Sequence, residues 1–174
     1  MGRPNDAEFT DFVRHHGPGL LRTAGLLTGD RARGEDLAQT ALATAYAHWS
    51  KVQAADEPVA YVRKLLVNSH LNWLRRLTNV EQVIESVPDR VDGADLQARY
   101  AQADELRSAL LRLSPRVRTA VVLRYFDDLS EAETARLMGC STSTVNNHVG
   151  RGLAALRELL GSGADLSPTT RRQS

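Results

Sequence analysis

Residues 114–160, SPRVRTAVVLRYFDDLSEAETARLMGCSTSTVNNHVGRGLAALRELL, carry the local signals of a helix-turn-helix one after another. Ser114 followed by Pro115 is an N-cap with proline at the first helical position, where the missing N–H costs nothing and the fixed φ suits a helix. Val117, Val121, Val122 and Tyr125 then recur at helical spacing until Asp127-Asp128 breaks the apolar face. Ser130 with Glu133 three residues on is a capping box, so a second helix starts there; it carries Ala132, Ala135, Leu137 and Met138 and stops at Gly139. Ser141 caps the next helix, so the two are joined by a turn of about four residues, the length at which such helices cross steeply.

In that next helix Val145, Val149, Leu153, Leu156 and Leu160 share one face and should pack inward. Ser141, Thr142, Ser143, Thr144, Asn146, Asn147 and His148 gather near its start, with Arg151 one turn on. These groups can donate to or accept from base edges and phosphates, and the helix dipole at this end favours phosphate. From the turn alone, the solvated face of an ordinary helical hairpin is an equal alternative. Gly150 and Gly152 lie inside the same helix, each costing up to ~1 kcal/mol relative to alanine. Two readings are open: a helix that orders fully only on its partner, or a backbone that approaches DNA or the preceding helix closely.

At 174 residues the chain suits one ordinary domain or two small ones, and 42% hydrophobic content supports packed cores. No apolar run approaches the ~20 residues that span a bilayer, and MGRPNDAEF is no secretory signal, so a cytoplasmic protein with no membrane partner is expected. Cys140 is the single cysteine, which excludes an internal disulfide and a multi-cysteine zinc site; an apolar filler in the turn is its simplest use. His15, His16, His48, His70 and His148 are scattered, and no phosphate-binding glycine motif stands out. No catalytic residue, metal or cofactor is expected.

The net charge of +1 is unevenly spread. Residues 79–103 hold Glu81, Glu85, Asp89, Asp92 and Asp95 against Arg90 and Arg99, a net of −3, which leaves +4 for the remainder. With Pro88, Gly93 and few large apolar side chains, this segment reads as a flexible acidic linker. The fold expected is all-α: small helical domains at 5–78 and 104–160, the second a helix-turn-helix, joined by the linker and followed by a flexible tail at 161–174.

The N-terminal domain opens with Phe9, Phe12, Val13, Leu20, Leu21, Ala24 and Leu27, one helix or a pair broken near Gly17-Pro18-Gly19. Asp30 caps a long helix with a narrow stripe of Ala38, Ala41, Leu42, Ala45 and Trp49; Gly34 sits oddly near its start. Pro58 opens another, apolar at Val62, Leu65, Leu66, Ser69 and Trp73. Its other positions, Arg63, Lys64, Asn68, His70, Asn72, Arg75 and Arg76, mix cations and amides with nearby aromatics, a composition that suits nucleic acid. Periodicity alone favours Trp49, Tyr61 and Trp73 as core residues instead.

DRARGEDLAQTALATAYAHW (30–49), PVAYVRKLLVNSHLNWLRR (58–76), the acidic spacer and the helix-turn-helix, in that order, resemble the extracytoplasmic-function group of bacterial RNA polymerase sigma factors, closest to its SigE-like branch. The resemblance runs from Glu8 to Leu160. It implies a factor that binds core RNA polymerase and directs promoter recognition, melting and initiation at a subset of promoters. Glu35, Asp36, Gln39 and Thr40 match region 2.2, which docks on the β′ clamp. Lys51, Arg63, Lys64, Asn68, His70, Asn72, Arg75 and Arg76 fall where the minus-10 element is opened and read, with Asn68 at the family's usual asparagine. The segment from Ser50 to Glu57 lies where a flipped base is captured.

Ser141, Thr142, Ser143, Thr144, Asn146, Asn147, His148 and Arg151 fall on the helix that reads the minus-35 element, although relatives commonly carry basic residues at the positions of Asn146 and His148. The β flap and an anti-sigma protein are further partners the resemblance implies, though no feature of the chain demands an anti-sigma protein. The linker would thread the RNA-exit region. A helix-turn-helix regulator acting without polymerase is the alternative; tight binding to a promoter duplex without polymerase distinguishes it. An enzyme is the third class and lacks any supporting motif.

Overall fold

The computed structural model describes residues 4–80 and 99–161, and among these every regular element is helical. Helix α1 (Pro4–Thr28) is continuous through Pro18, so of the two arrangements open in the sequence the single helix is the one found. Proline removes one backbone donor, but Pro18 is exposed, so the freed carbonyl of Arg14 lies on the solvent side. Asp30 caps α2 (Arg31–Ala47) by accepting from the Arg33 N–H at 3.2 Å. Trp49 opens the short α3 (Trp49–Gln53) instead of closing the α2 stripe, and α4 (Pro58–Val80) follows.

In the C-terminal unit, α5 (Arg99–Leu111) leads to α6 (Pro115–Val121), which widens into a π-helical turn at Val122–Phe126. Ser114 stands at the α6 N-cap without a side-chain capping bond, so the start rests on the fixed φ of Pro115. Helices α7 (Glu131–Met138) and α8 (Thr142–Leu160) complete the chain. Both bonds of the Ser130–Glu133 capping box are made, at 2.7 and 3.1 Å. Gly139 ends α7 in the left-handed region (φ 64°), which a side chain would oppose. Cys140 is half-buried against the core, the filler role expected of it.

The boundaries differ from expectation at the linker. Helix α4 continues to Val80 and α5 begins at Arg99, so both ends of the 79–103 segment are helical; residues 81–98 and the tail beyond Gly161 lie outside the described residues.

The two helical units are packed together. The larger core joins Ala24, Leu27, Leu66 and Val67 of the N-terminal unit to Ala120, Val122, Leu123 and Met138 of the C-terminal one. A smaller core of Leu110, Leu113, Val117, Val121 and Leu156 lies in the C-terminal unit, with Leu26 of α1 packed against it. Leu123 and Val122 are fully buried, and burial of side chains this size contributes about 1.5–3 kcal/mol each.

Two glycines set close helix crossings. A Cβ at Gly34 would lie 2.9 Å from the Gly25 Cα, so α1 and α2 touch backbone to backbone there. A Cβ at Gly152 would lie 2.4 Å from Val121 Cγ2, which answers for this position the question left open above: the glycine admits α6. Gly150 faces open space.

Candidate nucleic-acid and polymerase interfaces

The N-terminal end of α8 is built by its cap. Ser141 Oγ accepts from the Thr144 N–H at 3.1 Å, and the two hydroxyls are 2.9 Å apart. Ser141, Thr142, Ser143, Asn146, Asn147 and Arg151 are exposed, while Thr144 and His148 are half-buried. Val145, Gly152 and Leu156 face inward and Val149, Leu153 and Leu160 are half-buried, so the apolar face read from spacing is the packed one. Asn146 Nδ2 donates to Glu131 Oε2 at 3.2 Å, tying α8 to α7. Burial and the charges of Arg116 and Arg151 lower the His148 pKa, which disfavours its cationic form.

On α2, Asp36, Gln39 and Thr40 are exposed on the side away from the buried Ala38, Ala41 and Ala45. Glu35 is half-buried and accepts from Arg31 Nε at 3.0 Å. Asp36 and Thr40 also border a cavity of about 490 Å3 between α2 and α4, which Trp73 and Arg76 close from the other side. Burial and the narrow alanine stripe therefore leave a polar α2 surface, as the spacing implied.

The residues expected to read the minus-10 element divide. Lys51, Lys64, Asn72, Arg75 and Arg76 are exposed, and Asn68 is half-buried. Arg75 Nη2 donates to Asn72 Oδ1 at 2.6 Å, so these two present one composite donor group.

Arg63 and His70 lie at the junction of the units and not on that exposed surface. The Arg63 side chain is 22% exposed, and its Nε lies 3.7 Å from Asp127 Oδ2, across the junction of the units. His70 is 1% exposed, and burial together with Arg118 and Arg33 lowers its pKa to about 4. The inner face of α4 is Val62, Leu66, Val67, His70 and Leu71, rotated from the stripe that Ser69 and Trp73 suggested. Leu21 of α1, expected inside, is 43% exposed.

Three residues were missed. Asp127, read from sequence only as the break in an apolar face, accepts from Thr23 Oγ1 at 2.8 Å and pairs with Arg63. Burial raises its pKa against the opposing effects of Thr23, Arg63 and Arg22. Arg33 stacks 3.6 Å over the Trp73 ring, and Arg118 lies buried in α6. Only the run of cations in the two motifs could have drawn attention to the arginines; nothing local marked Asp127. Among the described residues, no group of His, Cys, Asp and Glu is placed to hold a metal, and no helix is long and apolar enough to cross a membrane.

Residues 12–80 match the family Sigma-70 region 2, and residues 103–156 match Sigma-70, region 4. The chain is 37% identical to an RNA polymerase sigma-E factor of Streptomyces antibioticus, covering 92% of this chain and 88% of that one. It is 36% identical to the sigma-E factor of Streptomyces coelicolor over 88% of this chain and 86% of the other. An ECF RNA polymerase sigma factor, SigM of Mycobacterium tuberculosis, is 29% identical over 88% of this chain and 77% of its own. Among solved structures, the sigma factor RpoE of Bartonella quintana, in complex with the anti-sigma factor NepR, superposes with a TM-score of 0.67 at 27% identity, covering 90% of this chain and 99% of that one. With both regions in order and near full-length similarity to sigma-E factors, the chain belongs to the extracytoplasmic-function RNA polymerase sigma factors.

Proposed function

We propose that the chain binds core RNA polymerase through the exposed α2 residues Asp36, Gln39 and Thr40, with Glu35 at their edge, and directs it to promoters. Lys51, Lys64, Asn68, Asn72, Arg75 and Arg76 meet the minus-10 element, and the α8 N-terminus meets the minus-35 element in the major groove. The supporting observation is that three polar faces, on α2, α4 and α8, lie on the same helices as the sequence motifs and stay exposed after both cores are formed. Cations and amides near the backbone supply phosphate attraction, and α8 supplies short hydroxyl and amide groups suited to base edges. Promoter melting uses binding energy, since captured bases offset a few kcal/mol of unstacking, so no independent bond chemistry is required.

An anti-sigma protein is a fitting further partner, because the solved relative of Bartonella quintana is in complex with one. The test is reconstitution. The purified chain co-elutes with core polymerase and supports initiation on genomic promoter fragments; Asp36→Ala and Gln39→Ala weaken that association. Failure to bind core, with unchanged behaviour of both variants, overturns the reading. Tight duplex binding in the absence of polymerase establishes a regulator in its place.

A further inference from the structure

At the junction of the two helical units lies an open cavity of about 580 Å3 bordered by the end of α1, α2, α4, the end of α5, α6 and α8. Its cationic walls are Arg33, Arg75, Arg116 and Arg118, with the imidazoles of His70 and His148 beside them, and among the described residues no carboxylate lines it. Arg118 is 7% exposed and His70 1% exposed. Among the described residues, Arg118 Nε and His70 Nε2 each find no hydrogen-bond partner. Buried polar groups are ordinarily paired, and a buried guanidinium without a counter-charge opposes folding. Arg118 and the neutral His70 thus border the cavity with N–H groups that no carboxylate among the described residues matches.

Opposing charge is scarce nearby. Asp30 acts on Arg33 from the α2 cap, while Arg118 and Arg33 each depress the other groups they face: Arg33 lowers Arg118, and both lower His70. A guanidinium fork matches two oxygens of a phosphate, and donors around a multivalent anion reinforce one another. The volume falls within the range of small-molecule sites, and Trp73, Leu111 and Leu113 give it apolar walls as well.

We propose that this cavity binds a small phosphate-bearing anion that accepts from Arg33 and His70 on the N-terminal unit and from Arg118 on the C-terminal unit. The anion thereby holds the two units closed. The proposal rests on the cavity and stands apart from the polymerase reading, so failure of either leaves the other intact.

Pyrophosphate is the probe, titrated into the full chain by calorimetry at ionic strength held constant with sodium chloride. Saturable one-to-one binding and a raised Tm are expected. Arg118→Gln and Arg33→Gln each weaken binding by about tenfold or more, the size expected for a lost charged hydrogen bond. Exposed Arg157→Gln leaves it unchanged. Arg118→Met removes the pyrophosphate response while keeping or raising the Tm of the anion-free chain, because an apolar side chain ends the unpaired burial. Circular dichroism establishes that each variant is folded.

Equal binding by Arg118→Gln, or a Tm gain matched by sodium chloride alone, overturns the proposal. A short DNA duplex that displaces pyrophosphate assigns the phosphate to nucleic acid and overturns the free-anion form. If pyrophosphate adds nothing, and neutralising Glu81, Glu85, Asp89, Asp92 and Asp95 lowers the Tm as Arg118→Gln does, the counter-charge is the chain's own and the proposal fails.

Discussion

The two helices proposed to face DNA treat their polar faces in opposite ways. On α8 the polar residues Asn146, Asn147 and Arg151 stand clear of both cores, whereas on α4 the second unit covers part of the equivalent face. Lys64, Asn72, Arg75 and Arg76 remain outside, yet Arg63 is paired with Asp127 and His70 is sealed beside Arg118. Periodicity decides which side chains share a face. Whether another part of the chain lies on that face is decided by contacts far away in sequence. Contact to DNA through Arg63 or His70 therefore requires the seam between the units to open, while α8 needs no such rearrangement.

The largest effect should come from breaking the seam itself. Leu123 is fully buried in the core shared by both units, and Leu123→Ala is expected to cost about 2–5 kcal/mol. Both tryptophans, Trp49 and Trp73, lie in the N-terminal unit, so their fluorescence during urea unfolding reports across the seam. An unshifted tryptophan midpoint would show two units that unfold independently, and the contrast between α4 and α8 would collapse.

Acid sharpens the contrast at His70. Its folded pKa is lowered from 6.5 to about 4, so between those values the unfolded chain binds the proton and the folded chain does not. Stability is then complete above pH 6.5 and falls as pH drops toward 4, by about 3 kcal/mol. Asp127 acts in the other direction, because its raised pKa makes protonation favour the folded state at the acid end. The difference between wild type and His70→Leu in Tm against pH isolates the histidine; identical slopes would place His70 in solvent, as a DNA-reading role implies.

Asp127→Ala is expected to cost about 1–3 kcal/mol by leaving Thr23 and Arg63 unpaired. It should also raise affinity for single-stranded DNA at low salt, since Arg63 is released to the α4 face. Anisotropy with a labelled oligonucleotide checks this, and unchanged affinity would mean that Arg63 was available all along. The smallest effect lies on α8. Gly150 faces open space, so Gly150→Ala should stabilise by up to about 1 kcal/mol, while Gly152→Ala destabilises against Val121. Thermal melts of the pair should move in opposite directions.

What could be read in the sequence was what is settled within one turn of chain. The Ser130–Glu133 box, the left-handed Gly139 and the Ser141 cap each depend on neighbours three residues away, and each is found in the structure. The α2 polar surface was legible too, because alanines at helical spacing mark the opposite side. The seam was not. Thr23 and Asp127 are separated by 104 positions, and no local pattern records their bond. The inner face of α4 was misplaced for a related reason: Ser69 and His70 are both amphipathic enough to sit on either side, and only the arrival of α6 with Arg118 settles which one is enclosed. Helix α4 runs to Val80, past the start of the expected linker, because polarity alone does not separate a helix end from a linker.

The Gly152–Val121 approach has a mechanical consequence. The Val121 and Val117 side chains fill the space a Cβ at Gly152 would need, so α8 seats closely on α6, whose own residues 117–121 are all buried. If the α8 N-terminus enters a groove as proposed, its pitch is set from behind by the supporting helix, and substitutions along α6 are expected to retune promoter choice without touching DNA.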